Sequence, residues 1–242
     1  MILSWDIEIA DKIDDISRLG HPETLSMCCS AIEYVAKDTR KMTTWPSLGG
    51  PYTERLSQER ADAIVAAMAV AVVNGAFILT WNGLGFDFPV LAANCSPKHR
   101  NHVETMAVYA HIDLGFAMAC SKGFMCGLEA AGMGLGVGQK AEGIHGDQVP
   151  ELWANGEYEK VLRYVQGDAR LTTDVFLAAK KEQCIRWITK KGKVSTWSLP
   201  EKLTVVESLK TPAPDTSWMS DPRPRSSYYN WIKSVTIVDA AL

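Results

Sequence analysis

Residues 4–10 read SWDIEIA, and two acids, Asp6 and Glu8, stand in a run that otherwise reads as a β-strand. In an extended chain, residues two apart point to the same side. Leu3, Trp5, Ile7 and Ile9 therefore share one face of a strand over residues 1–9, and Ile2, Ser4, Asp6 and Glu8 share the other. Taken alone, this is the alternation of a half-exposed strand with a polar face. Its meaning depends on whether acids elsewhere in the chain join the pair.

Outward from this strand, residues 24–35 read as a second one, apolar enough to be central. Residues 41–47 read as a third, stopped by Pro46 and the Gly49-Gly50-Pro51 turn. Residues 57–73 are helical, with Ser57 placed to cap them. A short apolar strand follows at 76–81, then a turn, then a helix entered at 88–95. Residues 101–120 read as largely helical around HIDL (111–114), and GLEAAGMGLGVGQK (127–140) as a short helix with a Gly-rich loop. The longest helical pattern covers 157–183. Residues 184–199 suggest a hairpin around Lys190-Lys191-Gly192, and 210–225 are Pro-rich and irregular. The aromatic run 227–232 must pack somewhere. This order implies an α/β fold, a mixed sheet with helices on its faces.

The 242 residues are 47% apolar and 22% charged, enough core for one large domain or two small ones. No apolar run approaches the roughly 20 residues of a membrane span, so no membrane partner is expected. No basic stretch followed by an apolar one opens the sequence, so a signal peptide is not expected either. Six cysteines without a C-x-x-C pair read as reduced thiols, which points to a cytoplasmic protein. The net charge of −3 divides into −8 over residues 1–179 and +5 over residues 180–242. An acidic body with a basic tail hints at a polyanionic partner, although a solvated basic surface explains the charge equally well. The run GMGLGVG (132–138) is not a dinucleotide fingerprint, because Val137 stands where the third glycine belongs and no strand precedes it.

Two further acidic stretches answer the opening question. In TWNGLGFDFPVL (80–91), Asp87 sits between Phe86 and Phe88 at the mouth of a helix. Alone, it reads as a helix cap favoured by the dipole. In RYVQGDARLTTDVF (163–176), Tyr164 and Asp168 lie four apart and share a helix face, while Asp174 reads as solvent-facing. Tyr164 alone reads as a tyrosine at the core edge.

Together, WDIE, NGLGFDFPVL and YVQGD resemble, in this order, the three motifs of the DEDD superfamily of 3′-to-5′ exonucleases in its tyrosine branch. HIDL and the stretches on either side of the Gly-rich loop resemble the proofreading domains of family B DNA polymerases, and the resemblance covers roughly residues 1–180. The histidine branch would carry His where Arg163 stands.

The resemblance implies a ribonuclease H-like fold over residues 1–183; residues 184–242 match no part of the family pattern and are expected to form a basic extension packed on it. It also implies a two-metal site held by Asp6, Glu8, Asp87 and Asp168. Physical chemistry points the same way, since clustered carboxylates call for a cation and oxygen ligands suit Mg²⁺ or Mn²⁺ over zinc. Tyr164 would orient the attacking water, because a phenol with a pKa near about 10 is a poor base at neutral pH. Asn82 and Phe86 are expected to touch the substrate, and Lys190, Lys191 and Lys193 to hold its backbone. The expected activity is release of nucleotides from the 3′ end of single-stranded DNA, with a polymerase or repair protein as a conceivable partner. Alternatives are an exoribonuclease acting on single-stranded RNA, a ribonuclease H-like endonuclease, and a catalytically silent nucleic-acid-binding module.

Overall fold

The computed structural model describes every residue except 14, 141, 142, 190 and 240–242. Three strands come first, β1 (Ile2–Ile9), β2 (Met27–Ala36) and β3 (Thr39–Trp45). Helix α1 (Gln58–Val73) follows, its start capped by Ser57 Oγ, which accepts from Arg60 N at 3.4 Å. Next come β4 (Phe77–Thr80), α2 (Asp87–Asn94), α3 (Pro97–Tyr109), β5 (His111–Asp113) and α4 (Leu114–Lys122). Helices α5 (Leu128–Leu135), α6 (Val149–Ala154) and α7 (Tyr158–Glu182) lead to the hairpin β6 (Cys184–Ile188) and β7 (Val194–Ser198). A short helix, α8 (Val205–Leu209), opens the tail. Among the described residues, no helix is long and apolar enough to cross a membrane.

The main sheet has the order β3-β2-β1-β4-β5. β1 pairs antiparallel with β2 and parallel with β4, and β4 pairs parallel with β5. This is the mixed α/β sheet of the ribonuclease H-like fold. Being central, β1 is covered on both faces. Leu3, Trp5, Ile7 and Ile9 enter the largest core cluster, beside Ile64 and Met68 of α1 and Phe88 of α2. The opposite face meets α7, where Ser4 Oγ donates to the Ala169 carbonyl at 2.7 Å. The two-residue period of β1 thus sends its acids toward α7 and its apolar residues the other way.

HIDL corrects the helical reading of 101–120. Its first three residues form β5, an edge strand wedged between α3 and α4. Three residues carry too little periodicity to announce a strand, and pairing with β4 decides it. His111 is buried, with its ring nitrogens against Thr80 Oγ1 (2.7 Å) and the Ala107 carbonyl (3.2 Å). Burial lowers its pKa to about 3 and keeps it neutral. Asp174 is a second correction. It is half-buried and pairs with Arg40 at 2.6 Å, because β3 lies alongside this part of α7.

The Gly-rich run has a packing role. A Cβ on Gly134 would run into the Arg186 carbonyl oxygen, so α5 lies directly on the backbone of β6. The tail is irregular yet anchored. Ile112 of β5 makes an isolated antiparallel bridge to Thr204, which covers part of that sheet edge. Arg225 bonds to the carbonyls of Cys120 and Thr211 and to Asp239. Tyr228, Tyr229 and Trp231 are buried in the same cluster as β1. Trp231 Nε1 donates to the Leu84 carbonyl at 2.8 Å, inside the turn that follows β4.

Trp231→Ala is expected to lower stability by about 3–5 kcal/mol, the usual cost of emptying a buried tryptophan site. Urea unfolding measures it. A loss below about 1 kcal/mol, the size of an ordinary surface effect, would show that the tail does not brace this core.

Candidate active site

Three elements converge at the end of β1. Asp6 and Glu8 come from its α7-facing side, Asp168 from the middle of α7, and Asp87 from the first turn of α2. One carboxylate oxygen from each of Asp6, Glu8 and Asp168 lies within 4.8 Å of the others. Glu8, Asp87 and Asp168 are buried, whereas Asp6 is partly open to the cleft. Asp87 stands outside this tight trio but lines the same cleft, and its Oδ1 accepts from Ile7 N at 3.2 Å. It does not cap α2, since Phe86 holds the cap position. The cleft measures about 500 Å³. Ile13, Leu19, Trp81, Phe86 and Pro150 form its apolar wall, and Asn82, Lys140 and Tyr164 add polar groups.

The turn that delivers Phe86 and Asp87 is held from below. Asn82 adopts a left-handed backbone, φ 70°, which asparagine tolerates better than most residues. Its N–H and that of Leu84 donate to the two oxygens of Asp113, at 2.8 and 2.9 Å. Gly83 N donates to Thr80 Oγ1 at 3.0 Å, and a Cβ on Gly83 would collide with that same threonine. The side-chain oxygen of Asn82 is buried without a hydrogen-bond partner among the described residues.

Burial is the main force on the acids, and mutual repulsion adds to it. Asp6 is raised well above the usual carboxylate range by desolvation and then by the charges of Asp87 and Asp168. Glu8 is raised in the same way, with Asp6 as its strongest charged neighbour. Asp87 is raised to about 7 by burial and by Asp113, against hydrogen bonds that favour its charge. Asp168 is also raised by burial, held back by the Lys140 ammonium. One oxygen of Asp168 is buried with no hydrogen-bond partner among the described residues. Repelling carboxylates and an orphaned oxygen together form an all-oxygen donor set that could hold a divalent cation.

Lys140 was not singled out by the sequence reading. It is the only Lys or Arg between Lys122 and Lys160, and that isolation in an otherwise neutral Gly-rich stretch was the available signal. Its Nζ bonds to Asp168 Oδ2 and donates to the Tyr164 hydroxyl at 3.1 Å. Burial alone would lower its pKa, but Asp168, Tyr164 and Asp6 overcome this and raise it, so the ammonium stays charged. Tyr164 is itself raised, by burial and then by Asp168, and remains a neutral phenol. Of the other residues singled out, Asn82 and Phe86 line the cleft, whereas Lys191 and Lys193 are exposed at the hairpin turn and outside its lining. Lys190 lies outside the described residues.

Residues 50–177 match the family model of the RNase_H superfamily. A DNA polymerase of Pyrococcus horikoshii is 26% identical over 164 residues, which is 60% of this chain and 13% of that polymerase. DNA polymerase 1 of Pyrococcus abyssi is also 26% identical over 164 residues, 60% of this chain and 21% of that protein. The chain thus spans at most about a fifth of the length of these curated relatives.

A carboxyl whose folded pKa exceeds its unfolded value favours the folded chain at low pH, and that contribution is lost as pH rises through the folded pKa. For Asp87 the window runs from the ordinary value of 3.8 up to about 7. In EDTA, Tm is expected to fall between about pH 4 and pH 8, and Asp87→Asn should flatten that fall by roughly 2–8 °C. Added Mg²⁺ or Mn²⁺ should raise Tm most at the alkaline end. Scanning calorimetry gives the profiles, and coincident wild-type and Asp87→Asn curves would contradict the buried, charge-opposed state of Asp87.

Proposed function

Because the chain belongs to the RNase H superfamily and gathers four carboxylates and a tyrosine in one cleft, we propose that it is a metal-dependent 3′-to-5′ exonuclease of the DEDD tyrosine branch. The proposed substrate is the 3′ end of single-stranded DNA. The observation that carries this reading is the meeting of Asp6, Glu8, Asp87 and Asp168 with Tyr164 one helical turn before the last acid. Similarity to two Pyrococcus DNA polymerases supports DNA as the substrate class.

In this reading Asp6, Glu8, Asp87 and Asp168 would hold two Mg²⁺ or Mn²⁺ ions. Such ions, when bound, acidify water and stabilise charge on the leaving oxygen of a phosphodiester. The chain's own residues do the rest. Tyr164, kept neutral by burial, accepts from Lys140 and hydrogen-bonds Asp168, which fixes its hydroxyl beside the carboxylates where it can orient the attacking water. Lys140 puts a permanent positive charge beside Asp168, where negative charge grows on the phosphate oxygens. Asn82 and Phe86 contact the terminal nucleotide, its base against the apolar wall. A cleft of about 500 Å³ suits one nucleotide at a time.

Wild-type protein with Mn²⁺ is expected to degrade 5′-labelled single-stranded DNA into a ladder that shortens from the 3′ end. Asp168→Ala should abolish it, and Tyr164→Phe should slow single-turnover cleavage by roughly 10- to 1,000-fold with unchanged oligonucleotide affinity. A parallel RNA digest reads the sugar preference. Internal cuts would overturn the exonuclease reading, and no cleavage of either nucleic acid by the folded wild type would overturn the nuclease reading.

A further inference from the structure

Arg223 lies in the irregular tail, between Pro222 and Pro224, yet its side chain is held in place. Its guanidinium carbon sits 3.9 Å from the centre of the Tyr228 ring, and its Nε donates to Ser227 Oγ at 2.9 Å. Tyr228 is buried and packs on Phe116 of α4 with ring centroids 5.4 Å apart. The two prolines restrict the backbone on either side. Arg225, two residues on, spends its guanidinium on carbonyls and Asp239. Arg223 differs, since among the described residues no carboxylate pairs with it.

Its position joins it to the cleft. A Cβ built on Gly85 would stand 3.3 Å from Arg223 Nη2, 3.1 Å from Asn82 Oδ1 and 2.9 Å from the Tyr228 ring. Arg223 therefore flanks the turn that carries Asn82 and Phe86, on the side of Asn82 where the tail is docked. A chain leaving the cleft past Asn82 meets a planar cation stacked on Tyr228, bonded only to the Ser227 and Tyr228 hydroxyls and, among the described residues, paired with no carboxylate. That is the geometry in which arginine binds a phosphodiester. The acidic cleft repels phosphate, so a fixed cation beside the turn that lines it has a clear electrostatic use.

We propose that Arg223 is a phosphate-binding residue of this protein, gripping the nucleic-acid backbone one or more nucleotides away from the cleft. The proposal rests on the nuclease reading and adds to it a contact from the tail.

Two measurements separate the two claims. The first is fluorescence anisotropy with a labelled single-stranded DNA 12-mer in EDTA across a salt series. The second is Mn²⁺-dependent hydrolysis of thymidine 5′-monophosphate p-nitrophenyl ester, a substrate with no phosphate beyond the scissile one for Arg223 to grip. Arg223→Ala should weaken 12-mer binding about 10- to 100-fold, as for a charge-assisted hydrogen bond, and lower the log–log salt slope by about 0.7. Ester hydrolysis should stay within about twofold, and Tm should be unchanged because the side chain is exposed. Arg223→Lys should keep the slope with intermediate affinity, having the charge without the stacked plane. Unchanged 12-mer affinity and slope, with the ester still hydrolysed, would overturn the role of Arg223 and leave the nuclease reading standing. An equal loss on the ester would overturn it as well, because Arg223 would then act through the turn. No ester hydrolysis and no 12-mer binding by the wild type would end both.

Discussion

Carboxylate oxygens from Asp6, Glu8 and Asp168 stand within 4.8 Å of one another in a largely buried cleft, and the rest of the structure serves to hold them there. Like charges in a poorly solvated place raise the free energy of the folded chain. Each acid is therefore carried by an element whose stability comes from elsewhere. β1 is held by Leu3, Trp5 and Ile7 on its other face, and α2 by Phe88, Val90 and Leu91. α7 is held by Val161, Leu162, Val165 and Ala169. The bond from Ser4 Oγ to the Ala169 carbonyl fixes how far α7 has slid along β1. A one-residue slip of β1 would turn Asp6 and Glu8 into the apolar core and Trp5 into the cleft.

The turn from Asn82 to Phe86 is the least regular part of the site and has the densest polar support. Asp113 takes two of its N–H groups, Thr80 takes a third, and Trp231 donates to the Leu84 carbonyl. His111 buttresses Thr80 and adds no charge, because burial keeps it neutral. These groups lie behind the acids of the cleft and set where Asp87 and Asn82 point. The support spans β5 and the tail, so the geometry of a short turn near residue 85 depends on a tryptophan some 150 residues later.

Lys140 changes the electrostatic character of the site. With it, the cleft is no longer a pure cluster of acids but one with an internal cation bonded to both Asp168 and Tyr164. A neutral phenol next to a fixed ammonium suits the placing of water better than the removal of a proton. Lys191 and Lys193, by contrast, are not part of the cleft lining, and the tail meets the site through Arg223, Tyr228 and Trp231 instead.

The sequence by itself determined which acids share a face. A period of two in SWDIEIA and a spacing of four in YVQGD are local geometric facts, and they hold wherever those segments pack. The mixed sheet, the long helix and the hairpin were legible for the same reason, as was the capped start of α1. Only the tertiary structure decided the rest. HIDL became a strand because β4 offered it hydrogen bonds. Asp174 found Arg40, and Gly134 was needed because the β6 backbone lies against α5. Lys140 and Asp113 took their places through contacts with residues remote in the chain, and Arg223 reached the turn at Gly85 because the tail docks there. Periodicity reports the direction of a side chain within its own element, while the partner it meets is set by how elements pack, and no local pattern contains that information.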